Sequence, residues 1–141
     1  MKRFLVGLAL AVLSACSSGT SGGSSTTPST PPLPPTNEIF TGTVSVGGTD
    51  AHSFVVKLSN GLVTANLTSA GPPATIAMGL GIGTISNGAC SVLQGGAVIA
   101  TAGPTAQLSG TNFTAGTYCV AVFDVGNQSA AVTYSVTVTH Y

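Results

Sequence analysis

The feature that most restricts the possible folds of this chain is an alternation of apolar and polar residues, with a period of two, through its C-terminal part. The last such run shows it most clearly, because Val132, Tyr134, Val136 and Val138 alternate with hydroxyl-bearing residues. Successive side chains of a strand point to opposite faces, so this pattern is typical of a strand with one buried face. No stretch after Ala15 shows a convincing helical period. The pattern predicts an all-β domain.

Similar runs, separated by turn residues, fill the region 38–141. Gly47–Asp50, Ser59–Gly61 and Gly71–Pro73 are turn signals, since Asn-Gly favours hairpins and proline cannot donate within a central ladder. We predict a single antiparallel β-sandwich of about seven to nine strands. The expected strands are 40–46, 53–58, 63–68, 75–82, 118–122 and 132–139. Between the fourth and fifth of these we expect a hairpin of 90–93 with 97–100 around Gln94-Gly95-Gly96, and a short edge strand at 107–109.

A run of alternating glycines lies within the fourth predicted strand. Gly79, Gly81 and Gly83 have the density of a phosphate-binding loop, but the lysine and the following helix of such a loop are absent. We therefore interpret these glycines as accommodating a bend or a bulge in a strand.

The N-terminus has the organisation of a secretory signal. Lys2 and Arg3 precede an apolar run at 4–13, which is too short to span a bilayer, since that takes about 20 residues. Residues 13–16, Leu-Ser-Ala-Cys, resemble the lipobox of bacterial lipoproteins. That resemblance implies cleavage before Cys16, a thioether-linked diacylglycerol on its sulfur and a fatty acyl chain such as palmitate on its new amino group. Ser17, by the same resemblance, favours the outer membrane if the host is Gram-negative.

A linker follows the lipobox directly. Residues 17–36 are nearly all Ser, Thr, Gly and Pro, without charge, and such a segment is predicted to be disordered because it cannot bury enough apolar surface. Its proline-rich half, 28–35, is expected to be a stiffer polyproline II spacer. The predicted organisation is a signal peptide at 1–15, the lipidated cysteine and linker at 16–37, and one β-sandwich domain at 38–141.

Charge is scarce, and this excludes several classes of function. Charged residues are 4% of the chain, and the segment after the signal holds only Lys57 against Glu38, Asp50 and Asp124, a net charge near −2. A basic footprint for nucleic acid is therefore absent. Bound calcium needs six to eight oxygen ligands, usually including several carboxylates, so we predict no metal site and no cofactor.

The order of the strand motifs resembles the bacterial pre-peptidase C-terminal domain. The motifs are Phe-Thr-Gly-Thr-Val from residue 40, Gly-Thr-Asp-Ala-His-Ser-Phe-Val from 48, Gly-Leu-Val-Thr-Ala-Asn-Leu from 61, Ala-Gly-Thr-Tyr-Cys-Val-Ala-Val from 115 and Tyr-Ser-Val-Thr-Val from 134. The resemblance covers nearly all of 40–138 and implies a jelly-roll-like sandwich. At its best motif we expect Gly116 to allow a tight turn and the Tyr118 hydroxyl to meet backbone at the corner. The stretch 74–80 lacks the aspartates that this family often carries there, so a calcium role is not carried over.

Two cysteines remain once Cys16 is assigned to lipid. In an exported protein, Cys90 and Cys119 are predicted to form a disulfide; the alternative is two buried free thiols. Cys119 is opposite in phase to Tyr118 and Val120, so we expect it to face away from the central core, with the bridge tying adjacent segments on a sheet surface.

No residue set in the sequence specifies a reaction. His52 follows Asp50 by two residues, so the pair shares one strand face, yet no Gly-x-Ser-x-Gly elbow accompanies it. We interpret the pair as a capping aspartate and a solvated histidine. His140 is penultimate, where fraying is expected. We therefore predict no catalytic residue and no enzymatic activity.

The predicted function is that of a membrane-anchored, non-enzymatic envelope lipoprotein that presents a β-sandwich binding module. Its expected partners are the membrane, through the lipid anchor, and an envelope protein or polysaccharide, but not nucleic acid. One alternative is a carbohydrate-binding module, although the chain has no Trp and both Tyr118 and Tyr134 are predicted to point inward. The other, suggested only by the family resemblance, is an accessory subunit of an exported protease.

Overall fold

A computed structural model describes residues 33–141 of the chain. The predicted signal peptide, the lipobox with Cys16 and the linker up to residue 32 lie outside the described residues, and what the sequence indicates for them stays a prediction.

Every helix or strand element within residues 33–141 is a β-strand, which confirms the predicted all-β class. The number of strands also falls within the expected range. In chain order they are β1 (Thr36–Val44), β2 (Thr49–Val56), β3 (Gly61–Gly71), β4 (Ala77–Ser86), β5 (Ala89–Thr101), β6 (Leu108–Phe113), β7 (Gly116–Phe123) and β8 (Val132–His140).

The strands form two antiparallel four-stranded sheets that pack face to face. We call the sheet with the order β1-β8-β3-β6 sheet A and the sheet with the order β2-β7-β4-β5 sheet B. Successive strands from β1 to β3 switch between the sheets, while β4 and β5 remain together as a hairpin. This strand order is that of a jelly roll, so the jelly-roll-like sandwich expected from the resemblance is what the chain forms.

The core lies between the sheets and consists of the residues that the alternation places on one face of each strand. On β8 the alternation is unbroken, with Val132, Tyr134, Val136 and Val138 buried and the intervening residues more exposed. β3 contributes Val63, Ala65 and Leu67, each fully buried. The strong period-two signal of these strands was therefore a correct guide to which side chains form the core.

The glycines of β4 lie where other groups cross the outer face of sheet B. A Cβ on Gly79 would overlap the ring of Phe123, and a Cβ on Gly83 would overlap the backbone carbonyl of Ser91 and come within 2.9 Å of Val92 Cα. The register between β4 and β5 shifts between Gly81 and Gly83. The interpretation of this glycine run as a bulge region of a strand is confirmed.

The predicted hairpin at 90–100 is wrong, because β5 is one long strand. Its hairpin partner is β4, through Asn87-Gly88, where both residues have positive φ (51° and 78°) as a two-residue hairpin turn of this kind requires. Residues 93–96 are instead looped out as a bulge opposite Ile82, since Gly81 pairs with Ala97 and Gly83 with Val92. Gly95-Gly96 suits either a turn or a bulge, and the stronger turn signal is the earlier Asn87-Gly88.

Two predicted strands end earlier than their apolar residues suggested. Val46 and Leu58 were the last residues of the first two predicted strands, yet they are 56% and 38% exposed. The chain has already left the sheet at these positions, because β1 ends at Val44 and β2 ends at Val56. The fourth strand is also displaced, from the predicted 75–82 to Ala77–Ser86.

β6 is an edge strand, as expected for the short segment near 107–109, and its approach to β3 depends on a side chain. Gln107 Oε1 accepts from the Leu67 amide at 2.7 Å, and Gln107 Nε2 donates to the Leu67 carbonyl at 3.3 Å. The side-chain amide thus serves as a peptide group for β3 just before β6 begins, which limits unpaired backbone there.

Candidate functional site

The structure joins Cys90 to Cys119, with Cα atoms 5.8 Å apart, and so confirms the predicted disulfide. The bridge does not tie hydrogen-bonded neighbours, because Cys90 lies on β5 and Cys119 on β7, the two strands that flank β4. It crosses the outer face of sheet B beside Gly83, which pairs with Cys119. Cys119 lies outside the central core cluster, as its phase predicted, yet it is fully buried.

Tyr118 forms the predicted corner at the start of β7. Its hydroxyl donates to the Thr114 carbonyl at 3.2 Å, four residues upstream. Its ring stacks on Phe54 at a centroid distance of 6.1 Å. This corner does not require a glycine at 116, since a Cβ there would meet nothing closer than 3.9 Å and the φ of Gly116 is not in the left-handed region.

Asp50 and His52 come together with Tyr134 at the side of the sandwich where β1 and β2 meet. Tyr134 Oη donates to Asp50 Oδ2 at 2.9 Å, and His52 Nε2 lies 3.0 Å from the same hydroxyl. The ring of Phe40 stacks on the imidazole with a centroid distance of 5.0 Å. Since the hydroxyl proton is directed at Asp50, His52 Nε2 carries the proton that is donated to Tyr134.

This cluster has no activated nucleophile. Burial raises the pKa of Tyr134 well above its usual range, and the hydrogen bond and negative charge of Asp50 raise it further. The phenol therefore stays neutral at ordinary pH. His52 is partly shielded from solvent rather than fully solvated, and Asp50 binds a side chain instead of capping a turn. The hydrogen bonds of Asp50 and His52 with Tyr134 therefore connect the two sheets at this side of the sandwich.

His140 was expected to fray, and this prediction is wrong. The residue is 1% exposed, and its Nε2 lies 2.8 Å from Glu38 Oε1. It is held because Thr36 of β1 pairs with it in the sheet and because its ring packs on Phe54 at 5.3 Å. The C-terminal strand is therefore ordered to its last paired residue.

Asp124 caps the loop that follows β7. Its Oδ2 accepts from the Gly47 amide at 2.7 Å, and its Oδ1 accepts from the amides of Gly126, Asn127 and Gln128 at 2.8, 3.2 and 3.3 Å. The hydrogen bond from Gly47 has the largest effect and lowers the pKa of Asp124; partial desolvation opposes it, and the other three amides add to it. One carboxylate thus connects the β1–β2 turn to the β7–β8 loop.

We expect Asp124→Asn to lower the melting temperature at pH 7. Because the pKa of Asp124 is lowered in the folded state, the ionised group contributes stability above its unfolded pKa near 4, and this contribution is lost as pH falls through the lower folded value. The difference between variant and native chain should therefore shrink in acid. Thermal unfolding from pH 7 to pH 2 measures this, and a difference that does not depend on pH would contradict it.

The described residues form a groove on the opposite side of the sandwich, between β5 and β6. We call it the β5–β6 groove; it comprises two adjacent depressions of about 190 and 240 Å³ that share Leu93, Thr111 and Phe113. Ile82 and Leu108 line the first depression, and Thr84 and Tyr118 line the second. A further depression of about 340 Å³ lies beside Pro72 and Asn127, but there the Asn127 amide is already used, donating to the Ala77 carbonyl at 3.0 Å.

Few features of the sequence indicated this groove. Asn112 lies on it with a φ of 65°, and asparagine is one of the few non-glycine residues that adopts this conformation readily. Tyr118 was predicted to point inward, yet it is only half-buried and lines the groove. The wrongly predicted hairpin at 90–100 concealed the bulge that forms the other wall.

Within residues 33–141 there is no group of three or more His, Cys, Asp or Glu side chains placed to hold a metal ion. Nor does this part of the chain include a helix that is long and apolar enough to cross a membrane.

Comparison with known proteins gives structural similarity without a sequence match. No protein-family model and no curated protein matches the sequence. Among solved structures, the chain is similar to the crystal structure of Aeromonas hydrophila PliG, a periplasmic lysozyme inhibitor of g-type lysozyme, with 14% sequence identity and a TM-score of 0.46 over 74% of this chain and 86% of that one. A likeness of this degree says nothing about what this chain binds.

Proposed function

We propose that this chain is a lipid-anchored, non-enzymatic protein of the bacterial cell envelope that holds a β-sandwich binding module away from the membrane on a linker. The observation that carries the proposal is the sequence Leu-Ser-Ala-Cys at 13–16, placed between a secretory signal and an uncharged linker. Three acyl chains on Cys16 would hold the protein firmly, whereas a single chain binds only marginally.

The described domain supports a binding role over a catalytic one. Its histidines are engaged, His52 with Tyr134 and His140 with Glu38. The β5–β6 groove contains neither. A role beside an exported protease rests on the resemblance to the pre-peptidase C-terminal domain alone, and no contact in the structure favours it.

Lipidation is tested by Cys16→Ser, with Ser29→Ala in the linker as the matched control. We expect the native chain and the control to remain with membranes after a carbonate wash, and Cys16→Ser to lose this attachment. Intact mass should show a native chain that begins at Cys16 and carries three acyl chains. A native chain that lacks acyl groups and retains residues 1–15 would refute the proposal.

A further inference from the structure

The β5–β6 groove lies between two sheet edges that are both interrupted by bulges. β5 is the last strand of sheet B and β6 the last strand of sheet A. On β5 the residues 93–96 are looped out, and on β6 the pairing with β3 skips from Gly110 to Phe113. Bulges re-aim side chains and occur often beside functional sites. Here they turn Gln94 and Asn112 into lining residues of one groove.

The groove is uncharged. The charged side chains of the described residues are Glu38, Asp50, Lys57 and Asp124, and none of them lines it. A charged ligand group would lose part of its hydration there without gaining a counter-ion, which is unfavourable. The groove therefore selects an uncharged ligand.

The lining combines hydroxyl and amide groups with aromatic rings. Gln94, Ser109, Thr111 and Asn112 are exposed, so their donors and acceptors are available to a bound molecule. Phe113 borders both depressions and packs edge-on against Tyr118 at 4.9 Å. A few polar groups placed around apolar and aromatic surface are typical of sites for small ligands.

We propose that the β5–β6 groove binds an uncharged oligosaccharide. Sugar hydroxyls would exchange hydrogen bonds with Gln94, Ser109, Thr111 and Asn112, and an apolar ring face would pack against Phe113. This inference rests on the proposed function, for which it names the ligand class and the site.

An added peptide strand fits this groove less well. Strand addition needs a regular run of unpaired backbone groups along a sheet edge. Bulges are among the devices by which proteins prevent such pairing, and both edges here have one.

The deciding variant is Asn112→Gly, because glycine keeps the left-handed backbone and removes only the side chain. Asn60→Gly is the matched control, since Asn60 has nearly the same φ (62° against 65°) but lies in the β2–β3 turn and does not line the groove. Thr111→Val, at an exposed position, is a second variant that removes one hydroxyl without changing volume. Each is made in the full chain, with and without Cys16→Ser, so that a failure of anchoring and a failure of sugar binding are seen separately.

The probes are neutral N-acetylglucosamine and glucose oligomers, an acidic galacturonate oligomer and an uncharged peptide of alternating Val and Ser, each titrated by calorimetry. We expect a neutral oligomer to bind, Asn112→Gly to weaken it about tenfold, and Asn60→Gly to leave it unchanged. The proposal is overturned if no neutral oligomer binds at millimolar concentration, if the peptide or the acidic oligomer binds more tightly, or if Asn112→Gly and Asn60→Gly behave alike.

Discussion

Replacing Cys90 and Cys119 together by alanine is expected to lower the free energy of unfolding by about 3 to 4 kcal/mol. The bridge closes a loop with a sequence separation of 29, so its loss gives the unfolded chain more conformations. The loop includes all of β6 and most of β5. Since small domains are stable by only about 5–15 kcal/mol, this loss is a large share of the total.

Urea unfolding of the oxidised native chain and of the double variant measures the difference. The native chain under reducing conditions is the matched control and should approach the variant. A change of less than about 1 kcal/mol would contradict the expected effect and would mean that β5 holds its place on sheet B without the bridge.

Gly83→Ala is expected to destabilise the domain by about 3 kcal/mol, even though it adds a single methyl group. The added Cβ would overlap the Ser91 carbonyl and approach Val92 Cα at 2.9 Å. These are backbone atoms, which cannot move aside as the end of a flexible side chain can. The pairing of β5 with β4 would have to open beside Gly83, and this would strain the disulfide that joins β5 to β7.

Gly116→Ala provides the control for this substitution. The space around Gly116 is open, so we expect its replacement to change stability by no more than about 0.5 kcal/mol. In the background without Cys90 and Cys119, Gly83→Ala should cost less, because β5 is then free to move away. Equal costs for the two glycine substitutions in the native background would show that β5 does not press on β4 as described.

The sequence predicted best those strands whose surroundings differ strongly on their two faces. On β8, Val136 faces the core and Thr137 faces outward, so alternation alone identified the strand and its buried side. On β5 only Val98 packs against the core as a partly buried residue, and most other residues are exposed. A strand without a clearly buried face shows little alternation of apolar and polar residues. The prediction at 90–100 therefore followed the turn propensity of Gly95-Gly96 and placed a hairpin there.

The polar cluster at one side of the sandwich and the β5–β6 groove at the other could be predicted only in part. The spacing of Asp50 and His52 placed them on one strand face, but their common partner Tyr134 lies on another sheet, and only the fold brings it there. His140 was judged by its position near the chain end, whereas its pairing with Thr36 depends on the other end of the domain. The β5–β6 groove depends on two bulges whose register is set by pairing with β4 and β3.

The pairing of β1 with β8 has a consequence for the order in which this protein is made. Thr36 lies opposite His140, and Val44 lies opposite Val132, so within residues 33–141 the first strand is paired with the last strand and with no other. Sheet A cannot be completed until β8 has been synthesised, and β1 waits unpaired until then. Machinery that began to carry this chain across a membrane before β8 was synthesised would therefore receive a chain without a completed sheet A, and the finished sandwich would form only on the far side.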